Sequence, residues 1–84
     1  FRRHAGLTDT MVITRQLATL LAAGLSVTAA LNAMSAQLSN PYLKGVLRNI
    51  RERLAEGKSL SAALSGYPDI FSSLYVESVA AGEE

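Results

Sequence analysis

The sequence predicts an all-α fold, a compact antiparallel helical bundle of about five to six helices. Three observations carry this. Apolar residues recur at helical spacing, first at Leu17, Leu20, Leu21 and Gly24, which stand at i, i+3, i+4 and i+7. Glycines, Ser/Asn caps and an Asn-Pro pair fall between the periodic segments, where helices stop and restart. No stretch alternates polar and apolar residues for long enough to make a strand, and there is no internal repeat or low-complexity run.

Taken in order, residues 1–8 have no periodicity and read as a flexible lead-in. Thr8 or Asp9 can cap a first helix, Asp9 being also favourable at the positive helix end. That helix runs to about Ala23, with Ile13, Leu17, Leu20 and Leu21 inward. Gly24 closes it, because a residue without Cβ enters the left-handed conformation freely. Ser26 caps a second helix over Val27 to Leu38, whose inner face is Val27, Ala30, Leu31, Met34 and Leu38. Asn40 caps a third helix with Pro41 at its first position, where a missing N–H is harmless. Its apolar face is Leu43, Val46, Leu47, Ile50 and Leu54, and Gly57 ends it. Ser59 caps a short helix from Leu60 to about Ser65, with Leu60, Ala63 and Leu64 inward. Gly66-Tyr67-Pro68-Asp69 is a turn cluster, and Ile70 and Phe71 after it are core plugs. Ser72 caps a last helix through Leu74, Tyr75, Val76 and Val79, stopped by Gly82.

Size and charge narrow the function. Eighty-four residues make one small domain. Its apolar content of 49% is rich in alanine and only 6% of residues are aromatic, a modest core of the kind a partner or neighbouring segment completes. Eight Lys/Arg against seven Asp/Glu give a net charge of +1, without the basic excess of a nucleic-acid binder. With no cysteine there is no disulfide framework and no thiolate metal site, which fits a cytosolic setting. The most apolar run, Leu17 to Leu25, is far shorter than the roughly 20 residues of a membrane span. Neither end reads as a natural terminus, so a piece of a longer protein is expected.

Catalytic and ligand-binding groups are scarce. His4, the one histidine, lies in the lead-in, and most serines occupy cap or turn positions. The six glycines are scattered as helix stops, with no phosphate loop. No cofactor and no enzymatic activity are expected. Glu77, Glu83 and Glu84, with Gln16 if its helix lies nearby, offer oxygens to a divalent cation; the alternative is a solvated helix end. Lys44, Arg48 and Arg51, with Arg53 and Lys58 close by, are the candidate partner-binding residues. They read either as a docking face for an acidic partner or anionic lipid, or as a solvated face with local Arg48–Glu52 pairing, worth about 0.2–0.5 kcal/mol.

Thr14-Arg15-Gln16-Leu17-Ala18-Thr19-Leu20-Leu21-Ala22-Ala23-Gly24-Leu25 closely resembles the opening motif of the type II secretion system F domain. Asn40-Pro41, Glu56-Gly57-Lys58-Ser59-Leu60-Ser61-Ala62-Ala63-Leu64, Tyr67-Pro68 through Phe71 to Leu74-Tyr75, and Ala81-Gly82-Glu83-Glu84 follow in the family's order and spacing. Ile13 stands where the family commonly has an aromatic. The resemblance covers about Thr14 to Glu84 and implies a helical cytoplasmic domain, residues 9–84, of a bacterial inner-membrane platform protein for type II secretion or type IV pilus assembly. It implies a non-enzymatic role, coupling the membrane complex to a secretion ATPase. The implied partners are that ATPase, other inner-membrane assembly components and a second copy of itself. The family continues past A-G-E-x into another helix, so the last helix of the bundle is expected beyond this sequence. A free-standing helical adaptor is the alternative, and a nucleic-acid-binding helical domain a third.

Overall fold

Capping explains most of the element boundaries in the computed structural model, which describes residues 7–83. Five helices follow one another: α1 (Leu7–Ala22), α2 (Val27–Gln37), α3 (Pro41–Ala55), α4 (Leu60–Leu64) and α5 (Ser73–Gly82). The Ser26, Ser59 and Ser72 hydroxyls accept from the Ala29, Ala62 and Tyr75 N–H groups, each at 3.1 Å. The Asn40 side-chain oxygen accepts from the Tyr42 and Leu43 N–H groups at 2.8 and 3.2 Å. Each bond satisfies a donor that the first turn of a helix leaves orphaned.

The two glycine stops work the same way. Gly24 and Gly57 have φ of +96° and +97°. After α1, the Leu25 N–H reaches Leu20 O and the Gly24 N–H reaches Leu21 O; after α3, Lys58 N–H reaches Arg53 O and Gly57 N–H reaches Leu54 O. This crossed pair satisfies carbonyls the helix end would leave open, and any residue with a Cβ is strained at its centre.

Helix α1 begins at Leu7, so Asp9 lies in its first turn rather than capping it. A carboxylate there still faces the positive helix end. Of the expected lead-in, residues 1–6, with His4, lie outside the described residues.

Sequence neighbours pack as spatial neighbours: α1 on α2, α2 on α3, α3 on α4, α4 on α5. The core is the set of faces they share. Ile13, Leu17, Ala30, Leu31, Leu47, Ile50 and Leu64 are completely buried, and Met34, Leu43, Ala63 and Phe71 nearly so. Ile70 and Phe71 fill it from the turn after α4, whose shape is set by their N–H groups both donating to Tyr67 O, at 3.0 and 2.9 Å.

Two helices are covered less completely than the others. Leu20 and Leu21 face inward as expected and pack against the core, but they are half-buried rather than fully buried. Leu74 is 76% exposed, and α5 has no fully buried residue. Helix α5 rests mainly on the five-residue α4, so its far side stays open.

Candidate functional site

Helix α3 carries the sequence-predicted basic residues on two flanks rather than one. At about 100° per residue, Lys44, Arg48 and Arg51 share a side, while Arg53, nine residues beyond Lys44, falls about half a turn away. The buried stripe of Leu43, Val46, Leu47 and Ile50 lies between these flanks on the inner side, and Gly45, Glu52 and Glu56 between them on the outer side.

On the α2 flank, Lys44 and Arg48 are exposed and their side chains have no partner among the described residues. The Arg48–Glu52 ion pair is therefore not formed. Arg51 is half-buried and donates through Nη1 to the Asn32 side-chain oxygen of α2. On the α4 flank, Arg53 donates through Nε to Asn49 Oδ1 at 3.0 Å. The same oxygen accepts from the Tyr67 hydroxyl at 2.8 Å. Lys58 is exposed immediately after Gly57, held by its backbone bond to Arg53 O.

Nearby, the Tyr42 hydroxyl donates to Asp69 Oδ2 at 3.1 Å, tying the turn after α4 to the start of α3. Burial, then this bond to a carboxylate and the carboxylate's charge, push the Tyr42 hydroxyl above its usual pKa. Burial alone does the same to Tyr75, whose ring stacks on Phe71 with centroids 6.1 Å apart.

Glu83 is exposed at the end of α5, yet its carboxylate is engaged within the fold. Its carboxylate accepts from the Leu60 N–H at 2.8 Å, the Ser61 hydroxyl at 2.7 Å and the Ser61 N–H at 3.4 Å. The end of α5 thereby closes the start of α4, an acid at a helix N-terminus. The Ser61 bond first, and the two backbone bonds, hold the Glu83 carboxyl below its usual 4.5 against burial, which opposes them and outweighs either backbone bond. Glu77 is exposed on α5, and Gln16 lines a groove of about 280 Å³ between α1 and α2. Glu84 lies outside the described residues. Among the described residues no three acidic, His or Cys side chains gather to hold a metal.

Clamp and tyrosines together set a pH window. A depressed folded pKa means Glu83 contributes fully above pH 4.5 and loses its contribution as pH falls through the folded value. Raised tyrosine values mean a contribution that is full below pH 10 and lost as pH rises further. Glu83→Gln should cost about 1 kcal/mol at neutral pH, an exposed charge-assisted set, or roughly 5 °C in melting temperature for a domain this small. In thermal melts followed by circular dichroism, the gap between the two proteins should narrow and close as pH falls below 4.5 and through the depressed folded value. A gap that is absent, or the same at every pH, would contradict the clamp.

Asn49, Tyr67 and the pairing of Glu83 with α4 escape the sequence reading. An Asn four residues before an Arg on one helix face is the signal that could have found the first. The other two depend on which chain segments meet.

A second feature is the groove of about 470 Å³ between α1 and α5, lined by Met11, Thr14, Arg15, Ala18, Ile70 and Tyr75 among others. Met11 there is 58% exposed. No described helix is long and apolar enough to cross a membrane.

A family model described as type II secretion system (T2SS), protein F, matches residues 13–84. The chain is similar to the type II secretion system protein F of Aeromonas hydrophila, 40% identical over 84 residues, all of this chain and 22% of that protein. It is similar to the type IV pilus assembly protein PilC of Thermus thermophilus, 42% identical over 81 residues, 96% of this chain and 20% of the relative. A PilC of Myxococcus xanthus is 40% identical over 75 residues, 89% of this chain and 18% of its own length. The chain thus spans about a fifth of the relatives it matches.

Proposed function

The chain belongs to the type II secretion system protein F family, and we propose that it is a non-enzymatic cytoplasmic scaffold domain of an inner-membrane platform protein. It works in bacterial type II secretion or type IV pilus assembly, coupling the membrane complex to the secretion ATPase. The observation that carries this reading is the division of labour along the chain. The five family motifs supply most of the caps and much of the core, while Lys44, Arg48, Arg51 and Arg53 of α3 lie outside them and off the buried face. A surface of Lys44, Arg48, Arg51, Arg53 and Lys58 suits an acidic protein partner. The near-neutral net charge does not suit a nucleic acid.

Residues 9–84 form one F-type domain in this reading, and its pattern in the family continues into a further helix. The α1–α5 groove, with exposed Met11 in its lining, is the apolar strip that such a helix or a second copy covers. Two or more apolar spans downstream of Glu84 in the full-length protein distinguish a platform from a free-standing adaptor; none removes the platform. For self-association, light scattering over a dilution series of this chain should reveal a dimer. A monomer at every concentration would discard it.

A further inference from the structure

Two of the α3 cations are held by side-chain bonds, and they differ: half-buried Arg51 spends a terminal nitrogen on Asn32, whereas Arg53 is bonded through Nε. Lys44, Arg48 and Lys58 are unbraced side chains that sample many rotamers in water. Arg53 is exposed but held: its Nε–H is committed to Asn49 Oδ1 at 3.0 Å. Asn49 is half-buried and fixed in turn by the Tyr67 hydroxyl at 2.8 Å, from the turn that follows α4. Two residues from two segments, Asn49 and Tyr67, thus orient one guanidinium. Its terminal N–H groups have no partner among the described residues, and Glu56, one turn on, does not take them up. A guanidinium held through Nε still offers its two terminal nitrogens as a fork that matches a carboxylate. Bracing also lowers the rotamer entropy lost on binding.

Resting on the docking reading above, we propose that Arg53 is the anchor of the α3 surface, positioned by Asn49 and Tyr67 to grip a carboxylate of an acidic protein segment. Lys58, one residue past the Gly57 turn, adds charge beside it. Lys44, Arg48 and Arg51 supply attraction at a distance. A protein carboxylate fits better than a lipid or nucleic-acid phosphate array. A single guanidinium matches a single carboxylate, and the exposed Glu52 and Glu56 repel a continuous anionic surface.

Charge-conserving substitutions separate geometry from charge. The probe is a blocked hexaglutamate peptide, titrated at low salt into the 84-residue chain, with binding read by the arginine Nε–Hε signals in NMR. Arg53→Lys, Asn49→Ala and Tyr67→Phe should each weaken binding about fivefold, the equivalent of one ordinary hydrogen bond. Arg48→Lys should leave it unchanged, and the Arg53 signal should move most. Circular dichroism confirms that each variant folds. If those three variants bind as the parent does while Arg48→Glu with Arg51→Glu still weakens binding, the anchor is wrong and the docking surface stands. If charge reversal also changes nothing, the docking surface itself fails. Binding to phosphatidylglycerol vesicles but not to the peptide would overturn the carboxylate assignment.

Discussion

Phe71→Ala is expected to remove about 3–5 kcal/mol, the range for emptying a buried aromatic site. The side chain is 1% exposed, among the largest in the core, and stacked on Tyr75. A domain of this size has on the order of 4–13 kcal/mol in total, at about 0.05–0.15 per residue. The variant should therefore melt at least about 12 °C lower or lose its cooperative transition. The same experiment grades α1. Leu17→Ala should cost ~2–5 kcal/mol because Leu17 is completely buried. Leu21→Ala should cost clearly less, since Leu21 is half-buried and no closed cavity forms. Equal losses at Leu17 and Leu21, or a Phe71→Ala protein that melts normally, would mean the core is drawn on the wrong faces.

That contrast shows how far one sequence carries. Helix positions were legible because their signals are local: Ser26, Asn40, Ser59 and Ser72 cap as expected, and Gly24 and Gly57 terminate as expected. Ile70 and Phe71 were legible as plugs because two bulky side chains after a turn have no stable place in water. Leu20 and Leu21 were not separable from Leu17, since periodicity gives a face but not the width of the neighbour that covers it. All of them face the core, yet Leu17 is completely buried and Leu20 and Leu21 only partly so.

The surface was legible in kind and not in arrangement. Five cations near α3 were plain, yet only helical geometry divides them into two flanks, and only tertiary structure brings Tyr67 to Asn49. Glu83 is the clearest case. Both the motif that contains it and the one that begins α4 stand out in the sequence, 22 to 23 residues apart. That one closes the other follows from how α5 lies against α4, which no local spacing encodes.

Reversing the charge of α3 should have the second large effect. Arg48→Glu with Arg51→Glu makes a slightly positive chain negative. A helix is about 10 Å across with its side chains, comparable to the screening length of about 8 Å at physiological salt. The new carboxylates are thus felt by an acidic partner on either flank. Arg51→Glu also gives up the bond to Asn32, a contact between two partly solvated side chains that should cost the fold about 1 kcal/mol or less. Association with an acidic partner should fall tenfold or more, about 1.4 kcal/mol.

The most direct measurement is co-purification of the secretion ATPase with the full-length platform protein, parent against Arg48→Glu with Arg51→Glu, with helicity of the isolated domain as the control. ATPase recovery should drop about tenfold or more while the domain keeps its helical spectrum. Unchanged recovery with a folded variant would contradict a docking role for α3 and leave its cations a solvated face.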